Sequence, residues 1–136
     1  MRELEKALAI AIKAHEGQTD KQGVPYILHP IRVMARLDNE TDRVVALLHD
    51  VVEDSPTTFD DLRKDFSEEV VSAVDHLTRR SDETYDAFIE RVKKNPIAIR
   101  VKLADLADNT DPRRGITRVN KSDRYRRAIS SLLSVC

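Results

Sequence analysis

The chain has 136 residues, 40% of them hydrophobic and 35% charged, which is the size and balance of one globular domain rather than a disordered segment. Its formal net charge of −1 excludes a general basic field for long nucleic acids. No apolar run is long enough to span a bilayer, Met1-Arg2-Glu3-Leu4-Glu5-Lys6 lacks the apolar core of a signal peptide, and the single cysteine, Cys136, excludes a disulfide framework, so a cytoplasmic protein without a membrane partner is expected.

No period-2 alternation stands out, and helical spacing recurs throughout. Leu4, Ala7, Leu8, Ala11 and Ile12 mark a first amphipathic helix ending near His15-Glu16-Gly17. Gln18 to Pro25 reads as a loop, and His29-Pro30 opens a second helix through Ile31, Val33, Met34 and Leu37. Asn39 or Thr41 caps a third helix, which runs to Asp54 before Ser55-Pro56 stops it. Thr58 with Asp61 resembles a capping box for a short fourth. Ser67 caps a fifth through Val70, Val71, Val74 and Leu77, and Tyr85, Phe88, Ile89 and Val92 form the stripe of a sixth. Asn95-Pro96 starts a seventh, from Ile97 to about Asn109, and Pro112 stops it. Asn120 or Ser122 starts the last, through Tyr125, Ala128, Ile129 and Leu132. The expectation is an all-α fold, a compact single-domain helical bundle over residues 1–136 with no repeat and no linker.

The third helix carries the chemistry. His49, Asp50, Glu53 and Asp54 fall within an arc of roughly 140° at about 100° per residue. Val44, Val45, Leu47, Leu48, Val51 and Val52 fill most of the remaining circumference. Carboxylates on so apolar a helix need partners, and three of them beside a histidine call for a cation. A salt-bridged surface helix is the competing explanation, but the flanking Val and Leu leave little surface to expose.

A single metal needs more than two protein ligands. His29 stands before Pro30 at a constrained helix start, although a lone histidine there more often simply packs. Asp105 sits in Val101-Lys102-Leu103-Ala104-Asp105-Leu106-Ala107, apolar on most sides, with Lys102 as an alternative partner one turn earlier and Asn109 one turn later. His29, His49, Asp50 and Asp105 together make two imidazoles and two carboxylates, a set suited to Mn²⁺, Fe²⁺, Co²⁺ or Zn²⁺. Arg113, Arg114, Arg118, Lys121, Arg124, Arg126 and Arg127 concentrate positive charge near the C-terminus. We read them as a solvated face, the alternative being that one or two meet a phosphorylated ligand.

The order His29, His49-Asp50, Asp105 resembles the H…HD…D signature of HD-domain phosphohydrolases. Ala14-His15-Glu16-Gly17-Gln18, Gly23-Val24-Pro25-Tyr26-Ile27-Leu28-His29-Pro30, Ala46 to Asp54 and Val101 to Asp105 resemble the hydrolase domain of RelA/SpoT-type proteins, and look closest to small stand-alone alarmone hydrolases. The resemblance runs from about Glu5 to Asn109 and more weakly to Tyr125. It implies one Mn²⁺ on His29, His49, Asp50 and Asp105, and removal of pyrophosphate from the 3′ position of guanosine tetra- or pentaphosphate by water activated at the metal. It implies that Glu53 and Asp54 prepare that water, and that Lys21, Asn109 and, in a looser alignment, Tyr125 contact the substrate. Lys21, with Lys102 or Arg100, would offset charge on the leaving pyrophosphate, unless Lys102 serves only to pair with Asp105. The partner is then a small phosphorylated nucleotide, and a homo-oligomer is compatible with it. No synthetase segment follows, so alarmone synthesis is not expected.

Three positions, in two segments, depart from the family pattern. Asp20-Lys21 stands where the loop usually reads Arg-Lys, and Leu106 and Asp108 stand where an arginine and often a histidine follow the last ligand. Two other functions therefore remain beside alarmone hydrolysis: hydrolysis of another nucleotide or phosphoester on the same metal, and a non-catalytic module binding a nucleotide or partner. His15, His76 and Tyr26 are read as structural, Tyr26 packing the loop against the core.

Overall fold

The computed structural model describes residues 2–114 and 119–135, the side chains of residues 114 and 119–122 excepted. Its α-helices are α1 (Glu3–Ala14), α2 (Leu28–Ala35), α3 (Glu40–Leu48), α4 (Val51–Asp54), α5 (Phe59–Arg63), α6 (Glu68–Leu77), α7 (Tyr85–Val92), α8 (Pro96–Asn109) and α9 (Val119–Leu133), with a 3₁₀ turn at Pro112–Arg114. Among the described residues there is no strand, only an isolated antiparallel bridge between Thr19 and Pro25. The all-α expectation holds. Among the same residues, no helix is long and apolar enough to cross a membrane.

The starts follow the expected capping chemistry. Asn39 rather than Thr41 caps α3, its side chain accepting from the Asp42 backbone N–H at 2.8 Å. Thr58 and Asp61 close a reciprocal box at α5, Ser67 caps α6, and Asn95 caps α8 with Pro96 in the first turn. The last helix begins at Val119. The capping roles expected of Asn120 or Ser122, and the calls on Arg118 and Cys136, lie outside the described residues or side chains.

Helix α3 is the axis of the fold, packing against α1, α2, α6 and α8. Val44, Val45, Ala46, Leu47 and Leu48 are all buried, so this helix is apolar on every side over its second half. Its one deeply buried charge outside the site, Asp42, is gripped in a fork by Arg100 of α8, Nε to Oδ2 at 2.6 Å and a terminal nitrogen to Oδ1 at 3.0 Å. Arg100 is thereby engaged in joining α8 to α3, which replaces the reading of it as a phosphate contact. Removing it leaves a buried carboxylate uncompensated. Because the arginine itself is half exposed, Arg100→Ala is expected to cost about 1–3 kcal/mol in urea unfolding, less than a fully buried pair.

The third helix does not continue to Asp54. It ends at Leu48, and a new helical turn starts at Val51. At the junction Asp50 takes φ −106°, ψ −1°, and the His49 ring bonds back to the Ala46 carbonyl at 2.5 Å. Residues one apart on a regular helix point about 100° apart. The break brings His49 and Asp50 to a common point instead.

The Gln18–Pro25 loop is organised by Asp20. Its Oδ1 accepts from the backbone N–H groups of Gln22 at 2.8 Å and Val24 at 3.0 Å, while the Gly23 N–H meets the Asp20 carbonyl. Gly23 has φ +80°, which a side chain would strain. Asp20 therefore has a structural task where the family pattern carries an arginine.

Candidate metal centre

Three elements deliver the ligand set. His29 comes from the first turn of α2, His49 and Asp50 from the α3–α4 break, and Asp105 from α8. One donor atom from each of His29, His49 and Asp105 lies within 4.8 Å of the others, and all three residues are buried. His29 Nε2 is 2.7 Å from Asp105 Oδ1. His49 Nε2 is 3.3 Å from the same oxygen and 3.1 Å from Asp50 Oδ2. Asp50 Oδ2 also accepts the Tyr26 hydroxyl proton at 2.5 Å.

Charge and tautomer fit a divalent cation. With Nδ1 committed to the Ala46 carbonyl, a neutral His49 directs its lone pair at Nε2 toward two carboxylates. That Nε2 is buried and lacks an aligned hydrogen-bond partner among the described residues. A buried acceptor facing acceptors is stabilised only by a proton or a metal. Burial opposes charge on both imidazoles, yet the neighbouring carboxylates outweigh it and raise both above the usual histidine range. Burial likewise pushes Asp105 up, but Lys102 and the two imidazoles hold it well below the ordinary carboxylate range. The mixed nitrogen and oxygen donors suit a first-row divalent ion.

The surroundings orient the donors. His29 Nδ1 is 2.6 Å from Asp108 Oδ2, and Arg32 Nε donates to Asp108 Oδ1 at 2.9 Å. This carboxylate–histidine arrangement presents Nε2 to the site. Asp108→Asn is expected to weaken Mn²⁺ binding about 10–100-fold without unfolding the chain, read by calorimetry beside circular dichroism. Lys102 Nζ donates to Asp105 Oδ2 at 2.8 Å, and Asn109 Nδ2 lies 3.4 Å from Oδ1.

Glu53 and Asp54 stand exposed on α4 at the rim. Glu53 Oε1 accepts the Arg79 backbone N–H at 2.6 Å, which ties α4 to the connection after α6. Partial burial first, then the charge of Asp50 and, for Glu53, that of Asp54, raises both carboxyls above their usual range. Such groups can accept a proton from an adjacent water. The Asp54 carbonyl receives Gln18 Nε2 at 3.0 Å, and the Gln18 amide oxygen meets His15 Nδ1 at 2.9 Å. His15 thus has a partner and braces the end of α1 against α4. His76 bonds back to the Ser72 carbonyl.

The expected residues are not all equally close. His29, His49, Asp50, Asp105, Lys102 and Asn109 form one connected set. Lys21 is exposed at the tip of the α1–α2 loop, and Tyr125 of α9 lies 6.4 Å, ring centre to ring centre, from Tyr85. Neither makes a bond to the ligand set among the described residues. Asp108, Arg32 and the Tyr26 hydroxyl were not anticipated as supports. Asp108 did carry a signal, being three residues past Asp105 on an apolar helix.

Known proteins are similar to this chain over most of its length. The HD domain model matches residues 7–134. The Escherichia coli K12 bifunctional (p)ppGpp synthase/hydrolase SpoT is 35% identical over 145 residues, which cover 97% of this chain and 20% of SpoT. A Vibrio cholerae guanosine-3′,5′-bis(diphosphate) 3′-pyrophosphohydrolase is 39% identical over 139 residues, 91% of this chain and 20% of that protein. The chain spans about a fifth of the length of these curated relatives. A solved structure of a metazoan ortholog of SpoT that hydrolyzes ppGpp aligns with a TM-score of 0.78 at 28% identity, covering 99% of this chain and 85% of that one. With the histidine and the His-Asp step from two neighbouring elements meeting the aspartate of a third, the chain belongs to the HD-domain family.

Proposed function

We propose that this chain is a metal-dependent pyrophosphohydrolase, acting as a single domain over residues 1–136 and removing pyrophosphate from the 3′ position of guanosine 3′,5′-bis(diphosphate). The observation that carries it is the meeting of His29, His49 and Asp105, with Asp50 against His49, beside two carboxylates on α4. Relatives named for this hydrolysis support the substrate. His29, His49, Asp50 and Asp105 would hold one divalent ion, Mn²⁺ by preference. When bound, that ion supplies Lewis-acid polarisation of a phosphoryl oxygen and acidifies water.

The chain's own residues do the rest. Glu53 or Asp54 takes the proton of the attacking water, each needing only hydrogen-bond reach. Lys102 stays charged, because Asp105, with Tyr85 and Asp50, outweighs the burial that would discharge it, and it offsets negative charge near the scissile group. Asn109 and Lys21 contact the nucleotide, and Tyr125 sits toward its phosphates.

The test is incubation with Mn²⁺ and guanosine tetraphosphate, followed for pyrophosphate, beside a nucleotide panel and an aryl phosphate. Pyrophosphate from the alarmone alone is expected. Turnover of another substrate instead supports the second reading, a different nucleotide or phosphoester on the same centre, which Asp20 in place of the loop arginine favours.

A further inference from the structure

Next to the ligand set lies a cluster of which the reaction above uses only Lys102 and Tyr125. The Arg124 guanidinium carbon sits 4.2 Å from the centre of the Tyr85 ring and 5.6 Å from that of Tyr125. Lys102 Nζ lies 5.9 Å from the same Tyr85 centre, and the Arg79 guanidinium 5.6 Å from it. Lys102 is the residue that holds Asp105, so the Tyr85 ring spans from α9 to the edge of the metal centre. The Tyr85 phenol is pushed up by burial first; Lys102 and Arg124 oppose this while Asp105 and Tyr125 add to it.

Two polar atoms here are buried without a hydrogen-bond partner: Tyr85 Oη and Arg124 Nε. Arg124 also forms no ion pair among the described residues. A guanidinium only donates, and it stays charged at any ordinary pH. Three cations against one ring repel one another, and burying a donor without an acceptor is unfavourable. Lys102 and Arg124 donate only, and the phenol has a proton to give. The group that completes them is therefore an acceptor bearing negative charge. It is not a base stacked on Tyr85, because Arg124 already occupies a face of that ring.

We propose that Tyr85 and Arg124, with Lys102 beside them, form a phosphate subsite adjoining the metal centre, where the Tyr85 hydroxyl and Arg124 Nε donate to oxygens of a pyrophosphoryl group. The identity of that group rests on the pyrophosphohydrolase reading; the subsite itself rests on the two unpartnered donors. Of the basic residues near the C-terminus, Arg124 is then one that meets a phosphorylated ligand.

The test uses inorganic pyrophosphate as the probe, titrated by calorimetry into the metal-free full chain, wild type against Tyr85→Phe and Arg124→Met. Tyr85→Phe keeps the ring and its cation contacts and removes only the hydroxyl. Each variant loses a charge-assisted hydrogen bond, so the dissociation constant is expected to rise about tenfold or more. Melting temperatures should stay within a few degrees, Tyr85→Phe serving as the variant certain to keep its packing if Arg124→Met does not fold. Equal affinity in wild type and Tyr85→Phe, or no saturable binding to the wild type, overturns the subsite. Weakened binding in the variants from a wild type that releases no pyrophosphate from guanosine tetraphosphate keeps the subsite and removes the reaction. Turnover with an unchanged KM in both variants does the reverse.

Discussion

Asp50→Ala is expected to abolish both Mn²⁺ uptake and turnover while leaving the helical fold in place. Of the two carboxylates in the ligand set, Asp50 is the cleaner one to remove. Asp105 also holds Lys102 at 2.8 Å, so its loss strands a buried ammonium and costs stability on the order of 3–5 kcal/mol, which confounds the readout. Asp50 is partly open, and its other partners are His49 and the Tyr26 hydroxyl, which can turn to water. Losing a direct ligand should weaken the ion more than the ~10–100-fold typical of an outer partner. Metal analysis after dialysis and pyrophosphate release measure the two effects separately. Wild-type Mn²⁺ stoichiometry and affinity in the variant would remove Asp50 from the ligand set.

Glu53→Gln should show the opposite pattern: the ion stays and the rate falls. The glutamine oxygen can still accept the Arg79 N–H that Glu53 holds at 2.6 Å, so the link from α4 to the α6–α7 connection survives. What disappears is a carboxylate able to take a proton. General-base catalysis contributes roughly 10²–10⁴-fold, and kcat should drop by that factor with Mn²⁺ binding unchanged. If instead kcat holds and Asp54→Asn slows the reaction, the proton goes to Asp54. Normal turnover in both variants would leave neither carboxylate with a role in proton transfer.

Much of the site could be read along the chain because it is local. His49, Asp50, Glu53 and Asp54 stand out as four polar residues at helical spacing in an apolar stretch, and burial makes such residues conspicuous. Asp105 stands out for the same reason on α8. The pairing of Lys102 with Asp105 follows from a three-residue separation on one helix. The break after Leu48 was not legible, since every residue from Glu40 to Asp54 is compatible with a continuous helix. It shows only once the His49 ring is seen bonded to the Ala46 carbonyl and Asp50 turned against His49.

The amino-acid order by itself determined the all-α class, nearly every helix start and the identity of the metal-ligand candidates. Periodicity, capping side chains and buried charge act within one or two turns, so they leave a local record. Only the tertiary structure decided which residues support those candidates. Asp108 meets His29 from 79 positions away, and Arg100 is drawn to Asp42 from 58 positions away. Arg124 reaches Tyr85 only because α7 and α9 pack together. Contacts of that kind are set by which helix faces meet, and no short stretch of sequence records them.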